Sequence, residues 1–377
     1  MKFIVSSSAL LKQLTQINGA ITTNPIVPVL ENFLFEIDGE AGTLTITASD
    51  LQTSMITVMD VEAKESGNIA VPAKILLDTL KNLPEQPVTF SIEEETYSIE
   101  LNSENGRYKL AGENATDFPQ PAALENSQSV TFSSDALSRA INNTIFAVSN
   151  DDLRPSMTGV YMSIGEEGAT MVATDGHRLV RYKRDDINAG YSEAIIIPKK
   201  SLTLLRSTLP SEDIDVKIEF NDSNAHFEFG GMRLICRLID EKFPDYENVI
   251  PLSNDNLVEL SRLDLLSTLK RIAIYANKTT NQVRLSITGS QIQVSAEDLE
   301  FSNEATESLT CNHDGQDIEI GFNAKLLIEM LNNLENETIT VKLSQPNKAA
   351  LIIPSEIEDN EDILTLIMPV MLNSYHA

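Results

Sequence analysis

One design occurs three times along this 377-residue chain, and the recurrence restricts its fold more than any other feature. Each copy opens with an apolar strand end, a serine and then a helical pattern. The three openings are Phe3-Ile4-Val5-Ser6 before 9–21, Val130-Thr131-Phe132-Ser133 before 136–148, and Val258-Glu259-Leu260-Ser261 before 264–276. The serines lie 127 and 128 residues apart. A serine hydroxyl can satisfy a free N–H at a helix start, so each reads as an N-cap. In the first copy Leu10, Leu14, Ile17 and Ile21 form one apolar stripe at helical spacing. A second helix follows Pro72-Ala73-Lys74, Pro198-Lys199-Lys200 and Asn323-Ala324-Lys325, at spacings of 126 and 125. Proline is expected inside the first helical turn, where its missing N–H has no partner to lose. The third marker, Ala48-Ser49-Asp50, Ala173-Thr174-Asp175 and Ala296-Glu297-Asp298, closes an alternating strand in each copy. Stretches 33–37, 160–164 and 283–287 read as half-buried strands.

The period sets the boundaries. Asp117-Phe118-Pro119 and Phe243-Pro244-Asp245-Tyr246 stand near the ends of the first two copies, giving domains 1–124, 125–253 and 254–377. Each holds two helices and about eight mostly antiparallel strands, an α+β class. Gly230-Gly231 reads as a hairpin turn, and the acidic stretch 356–362 as a solvated loop.

Charge decides which partners are possible. The chain has 28 basic and 56 acidic residues, a net −28, which excludes a generic polyanion binder unless its cations are gathered in one place. They are gathered on the helices. The six helical segments (9–21, 72–84, 136–148, 198–210, 264–276 and 323–335) hold ten basic and four acidic side chains, while the other 299 residues carry a net −34. A basic face on repeated helices within an acidic shell would meet phosphates there and repel them elsewhere. Two cysteines, Cys236 and Cys311, imply no disulfide framework and fit a reducing compartment. No apolar run approaches the length of a membrane span and the apolar N-terminal run is too short for a signal peptide, so a cytoplasmic protein without membrane contact is expected. Phosphate-loop, dinucleotide and zinc motifs are absent. Thr174-Asp175-Gly176-His177-Arg178 is the one cluster that looks catalytic, but no nucleophile motif or second ligand set accompanies it. It reads as structure or binding; no catalytic residue, metal or cofactor is expected.

With these features the chain resembles the bacterial sliding clamp, the beta subunit of DNA polymerase III. The likeness rests on the three repeats, on Ala173-Thr174-Asp175-Gly176-His177-Arg178-Leu179, on Phe243-Pro244-Asp245-Tyr246 and on Met368-Pro369-Val370-Met371-Leu372. It implies a non-catalytic processivity factor: a homodimer closed into a ring that slides on duplex DNA without reading sequence. Implied partners are the polymerase III catalytic subunit, the clamp loader, and other polymerases and repair proteins with short clamp-binding motifs. The cleft for those motifs would be Met157, Thr174, His177, Arg178, Leu179, Pro244, Val249, Leu366, Met368, Pro369, Val370 and Leu372. DNA-facing positions implied by the resemblance are Lys74, Lys199, Lys200, Arg206 and Asn323. The helix count adds Lys12, Lys81, Arg139, Lys270 and Arg271. The protomer interface would pair Arg107, Tyr108 and Leu110 with Ile274 and Tyr275. Asn24 and Met371 stand where the family carries basic residues, and 373–377 extends past its usual end. The competing reading is a repeat-built peptide hub that does not encircle DNA; an enzyme using Asp175 and His177 ranks below both.

Overall fold

The computed structural model describes residues 1–372; the 373–377 extension lies outside them. Among the described residues, each third of the chain supplies two helices and eight or nine strands. The helices are α1 (Ser7–Ile17), α2 (Ala73–Lys81), α3 (Ser134–Thr144), α4 (Lys199–Thr208), α5 (Arg262–Ile272) and α6 (Ala324–Asn332). The serine caps hold. Ser6, Ser133 and Ser261 accept hydrogen bonds from the backbone N–H of Ala9, Ala136 and Asp264, at 3.4, 3.2 and 3.3 Å. The helices begin directly after these serines, and Leu10, Leu14 and Ile17 are buried as the stripe requires. Ile21 lies beyond α1, in extended backbone after a short 3-10 turn. Pro72 and Pro198 also depart from expectation. Each ends the preceding strand, one residue before its helix, so the fixed proline φ closes a strand instead of opening a helical turn.

The chain packs as two compact units, Met1–Ser138 with Lys200–Leu238, and Arg139–Lys199 with Ile239–Ala377. The first unit contains an eight-stranded sheet, in the order Gln128–Ser133, Asp215–Phe220, Asn224–Phe229, Met232–Arg237, Thr53–Asp60, Thr43–Ser49, Asn32–Asp38 and Gly67–Pro72. Four strands from the second repeat thus join four from the first. Its other sheet runs Glu62–Ala63, Lys2–Ser6, Pro87–Glu93, Ser98–Asn102 and Arg107–Ala111. Phe3 and Phe90 stack at 4.7 Å between centroids, with Phe35 tilted against both. Gly230 and Gly231 form the expected hairpin turn, both at positive φ.

The second unit repeats the plan. A nine-stranded sheet runs Glu193–Pro198, Gly159–Gly165, Gly168–Thr174, Arg178–Arg184, Glu361–Ile367, Ala350–Pro354, Thr338–Leu343, Asn256–Ser261 and Asn312–Asp314. The remaining sheet runs Asn303–Thr310, Gln291–Asp298, Gln282–Thr288 and Ile318–Asn323. All the recorded pairings in both units are antiparallel. The second repeat is therefore joined to the first through Met232–Arg237 against Thr53–Asp60, and to the third through Glu361–Ile367 against Arg178–Arg184.

The acidic stretch 356–362 is not wholly a solvated loop. Glu361 begins a strand with its side chain 1% exposed, and it accepts both Nε and Nη2 of Arg139 at 2.9 Å. Tyr182 Oη donates to it at 2.5 Å and Arg184 at 3.1 Å. Burial pushes its carboxyl upward, but hydrogen bonds from Arg139 and Tyr182 and the two guanidinium charges win and hold it below the ordinary range. A depressed carboxyl stabilises the fold above its unfolded pKa of about 4.3, and that contribution is lost as pH falls through the folded value. Glu361→Gln should cost about 3 kcal/mol in denaturant unfolding at pH 7, by taking the buried carboxylate from the Arg139 fork and from Tyr182, while Arg184 keeps its two bonds to Asp186. The deficit should shrink in the same assay repeated at acid pH.

Candidate functional site

Asp175 shapes the turn between Gly168–Thr174 and Arg178–Arg184. Its Oδ1 accepts the N–H groups of His177 and Arg178 at 2.9 and 3.0 Å. Thr174 Oγ1 donates to the Arg178 carbonyl at 2.6 Å and accepts from Gly176 N–H at 3.1 Å. Gly176 sits at φ +88°, a conformation that glycine takes without steric cost. The turn leaves the His177 side chain 72% exposed and buries Arg178 to 5%.

Behind the turn, Leu179 stands opposite Leu366, and Leu366 opposite Leu351, in one row across three strands. Val172, Ile196, Phe243, Ala349 and Leu364 complete this buried cluster. The Phe243-Pro244-Asp245-Tyr246 segment is held there by Tyr161, whose ring stacks on Phe243 at 4.9 Å and lies 6.0 Å from Tyr246. Val249 ends the next short turn and is 52% exposed. From the other side comes the 368–372 segment. Met368 N–H donates to the His177 carbonyl at 2.8 Å, and Val370 N–H to the Gly321 carbonyl at 2.9 Å. A side chain at Gly321 would meet the Val370 carbonyl and the Leu372 side chain, both at 2.7 Å, so only glycine lets this segment lie so close.

Leu179 and Leu366 are buried, whereas the other expected cleft residues Pro244, Val249, Met368, Pro369, Val370 and Leu372 are half-buried or exposed. Thr174 is buried in the turn, and Met157 ends the separate turn Pro155–Met157, half-buried. Arg178, 5% exposed, does not present its charge to solvent. Its guanidinium donates to Asp175 (3.1 Å), Glu329 (2.9 Å) and the Phe146 carbonyl (2.6 Å), and lies over the Phe146 ring. It braces the turn from beneath.

On the helices, Lys12, Lys74, Lys81, Lys200, Arg206 and Lys270 are exposed. Lys74 and Lys81 are seven residues apart on α2, away from its buried Leu76, Leu77 and Leu80. Lys199 is half-buried and reaches Asn150 at 3.1 Å, while Lys200 pairs with Asp50. Arg139, Arg271 and Asn323 among the expected DNA-facing side chains are engaged as well. Arg139 is held by Glu361, Glu358 and Glu335, and Arg271 makes a two-pronged contact with Glu307. Asn323 caps α6, its Oδ1 accepting from Lys325 N–H at 3.0 Å. Asn24 takes φ +55°, and its N–H donates to Glu31.

The expected interface residues lie at two strand edges or beside them. Arg107–Ala111 ends its five-stranded sheet and Asn303–Thr310 ends its four-stranded one. Tyr108 is 36% exposed, Ile274 65% and Tyr275 43%, whereas Leu110 is only 4% exposed and packs inward opposite Ile99. Leu110 is therefore a core residue and not a contact surface. Arg107 is exposed and pairs with Glu100 on the neighbouring strand.

Sequence comparison bears on the whole length. The N-terminal, central and C-terminal domain models of the DNA polymerase III beta subunit match residues 1–122, 131–245 and 247–371. The beta sliding clamp of Pseudomonas aeruginosa is 31% identical over 374 residues, covering 99% of this chain and 100% of that protein. The chain belongs to the beta sliding clamp family. The clamp of Escherichia coli K12 is 29% identical over 375 residues, with the same coverage. A solved Pseudomonas aeruginosa DnaN clamp, bound to griselimycin, superposes with a TM-score of 0.93 at 30% identity and covers 99% of this chain and 100% of its own. The chain is accordingly a processivity factor of DNA polymerase III with the three-domain clamp fold. A peptide hub that leaves DNA unencircled has no support among these relatives.

The brace beneath the clamp's turn was not readable in the sequence. Phe146 and Glu329 lie 32 and 151 positions from Arg178, and no local motif links them. Tyr161 escaped for the same reason. Its alternating strand marked it as half-buried, but nothing near it names Phe243 as its partner.

Proposed function

We propose that two copies of this chain close a ring around duplex DNA, with Arg107–Ala111 of each adding to Asn303–Thr310 of the other. One observation carries this. Three repeats require three strand junctions of one kind, and the chain forms two, Met232–Arg237 on Thr53–Asp60 and Glu361–Ile367 on Arg178–Arg184. The strands equivalent to the missing junction are Arg107–Ala111 and Asn303–Thr310, edges with no further strand among the described residues. Joining them across two copies satisfies both edges, and a twofold dimer is the simplest closed solution. Carrying over the register of the first junction, where Leu234 faces Met55 and Ile235 faces Ser54, puts Tyr108 opposite Ala305 and Lys109 opposite Glu304. Opposite charges face each other in that register. The domain boundaries 1–124, 125–253 and 254–377 belong to the same reading.

Within the ring, the exposed helix cations meet phosphates without reading bases. Replacing Lys74, Lys81, Lys199 and Arg206 with glutamine should weaken binding equally for all sequences and lower the salt slope by about 0.9 per lost contact. Arg271→Gln should leave the slope unchanged, because Glu307 already neutralises it; a lowered slope would show that Arg271 meets DNA. The border around Leu179 and Leu366 takes short apolar motifs from the polymerase, the clamp loader and other replication or repair partners, in keeping with the griselimycin-bound relative. The protein acts by topology in the cytoplasm and performs no catalysis. Retention on nicked circular DNA, followed by release when that DNA is linearised, tests the ring. Equal retention on both forms would refute it.

A further inference from the structure

The strand junction in the first unit repeats the register and the closing backbone bond of the one beside Leu179 and Leu366. Arg237 N–H donates to the Gln52 carbonyl at 2.9 Å, as Met368 N–H donates to that of His177 at 2.8 Å. Cys236 stands opposite Thr53 as Ile367 stands opposite Arg178. Position for position, Gln52 replaces His177, Arg237 replaces Met368, and Ile235 replaces Leu366. Phe118-Pro119 likewise stands for Phe243-Pro244.

A cavity of about 330 Å³ opens at this place, lined among others by Leu51, Gln52, Pro119, Pro121, Ile235 and Arg237. Ile235 is buried and Leu51 is 50% exposed, two apolar side chains in a cavity otherwise lined largely by polar groups such as Ser49, Ser54 and Asn224. Arg237 is exposed and its guanidinium has no ion pair among the described residues, in a chain with twice as many acids as bases. The backbone frame is that of the apolar site, but an apolar anchor has been exchanged for a fork of N–H donors. Such a fork matches a carboxylate in a two-pronged contact.

We propose that this cavity is a second peptide-docking site, for an extended partner segment that sets a carboxylate on Arg237 and an apolar side chain against Leu51 and Ile235. It takes its template from the cleft reading above, but its ligand chemistry differs. The test is a titration of the full-length clamp, methyl-labelled at Leu and Ile, with a capped pentapeptide of alternating Asp and Leu. The Leu51 and Ile235 methyl resonances should shift and saturate at or below millimolar peptide. Arg237→Gln should weaken that binding about tenfold and Arg237→Glu should abolish it. Both leave the backbone bond to Gln52 in place, so folding is not at risk. The Met368→Ala, Leu372→Ala variant should titrate like the wild type. Shifts confined to Leu179 and Leu366, or an unchanged titration in Arg237→Glu, would overturn the proposal. Failure of the cleft reading would instead appear as undiminished binding of an apolar motif to the Met368→Ala, Leu372→Ala variant, and would leave this titration unaffected.

Discussion

Changing Lys109 to glutamate and Ile274 to aspartate should convert the proposed dimer into a folded monomer, with the sedimenting mass falling from twice 41.6 kDa to 41.6 kDa. Lys109 is exposed on the bare edge of the first unit's five-stranded sheet, and Ile274, 65% exposed, follows α5 in the second. Neither side chain supports its own core, so the fold should survive. The substitutions act at both ring junctions at once: Lys109→Glu faces Glu304 with a like charge, and Ile274→Asp removes apolar area at the seam. Adding Glu304→Lys should restore part of the dimer, which a general loss of stability would not allow. A dimer persisting in the double variant would remove the edge assignment. Leu110 behaves differently. At 4% exposure it belongs to the core, and Leu110→Asp should unfold the first unit by burying a charge without a partner.

The second large effect concerns Met368 and Leu372. A peptide bound at micromolar strength has about 8 kcal/mol to lose. Each truncation should remove roughly 1.5–3 kcal/mol of apolar contact, so Met368→Ala with Leu372→Ala should weaken a motif peptide by a hundredfold or more in calorimetry. Met368 is 41% exposed and Leu372 half-buried, so the unliganded fold gives up little when they are shortened. The dimer and its hold on circular DNA should be unchanged. Full peptide affinity in this variant would place the motifs on another surface.

What the sequence disclosed and what it withheld divide by distance along the chain. The serine caps, the helix stripes, the Gly230-Gly231 turn and the repeats are legible because their causes lie within a few residues. The Asp175 turn was legible as a polar cluster, yet the destination of Arg178 was not, since its partners come from other elements. Arg139 misled for the same reason. On α3 it counts as one more helix cation, and only the fold reveals Glu361, 222 positions away, taking its charge. Arg271 and Glu307 repeat that lesson. A charge tally along helices records supply; pairing across strands decides how much remains for a ligand.

In the proposed ring, the two strand edges left unpaired among the described residues also govern the interval between synthesis and closure. A newly made chain exposes two rows of unpaired N–H and C=O groups, each able to recruit any extended segment nearby. Their charges sort the encounters. Lys109 lies on one edge and Glu304 on the other. Two copies meeting through identical edges would bring together cations with cations or carboxylates with carboxylates, and only the unlike pair is free of that repulsion. High salt should therefore do more than slow assembly. By screening these charges it should raise the share of mispaired, unclosed chains in refolding mixtures, visible as species heavier than the ring.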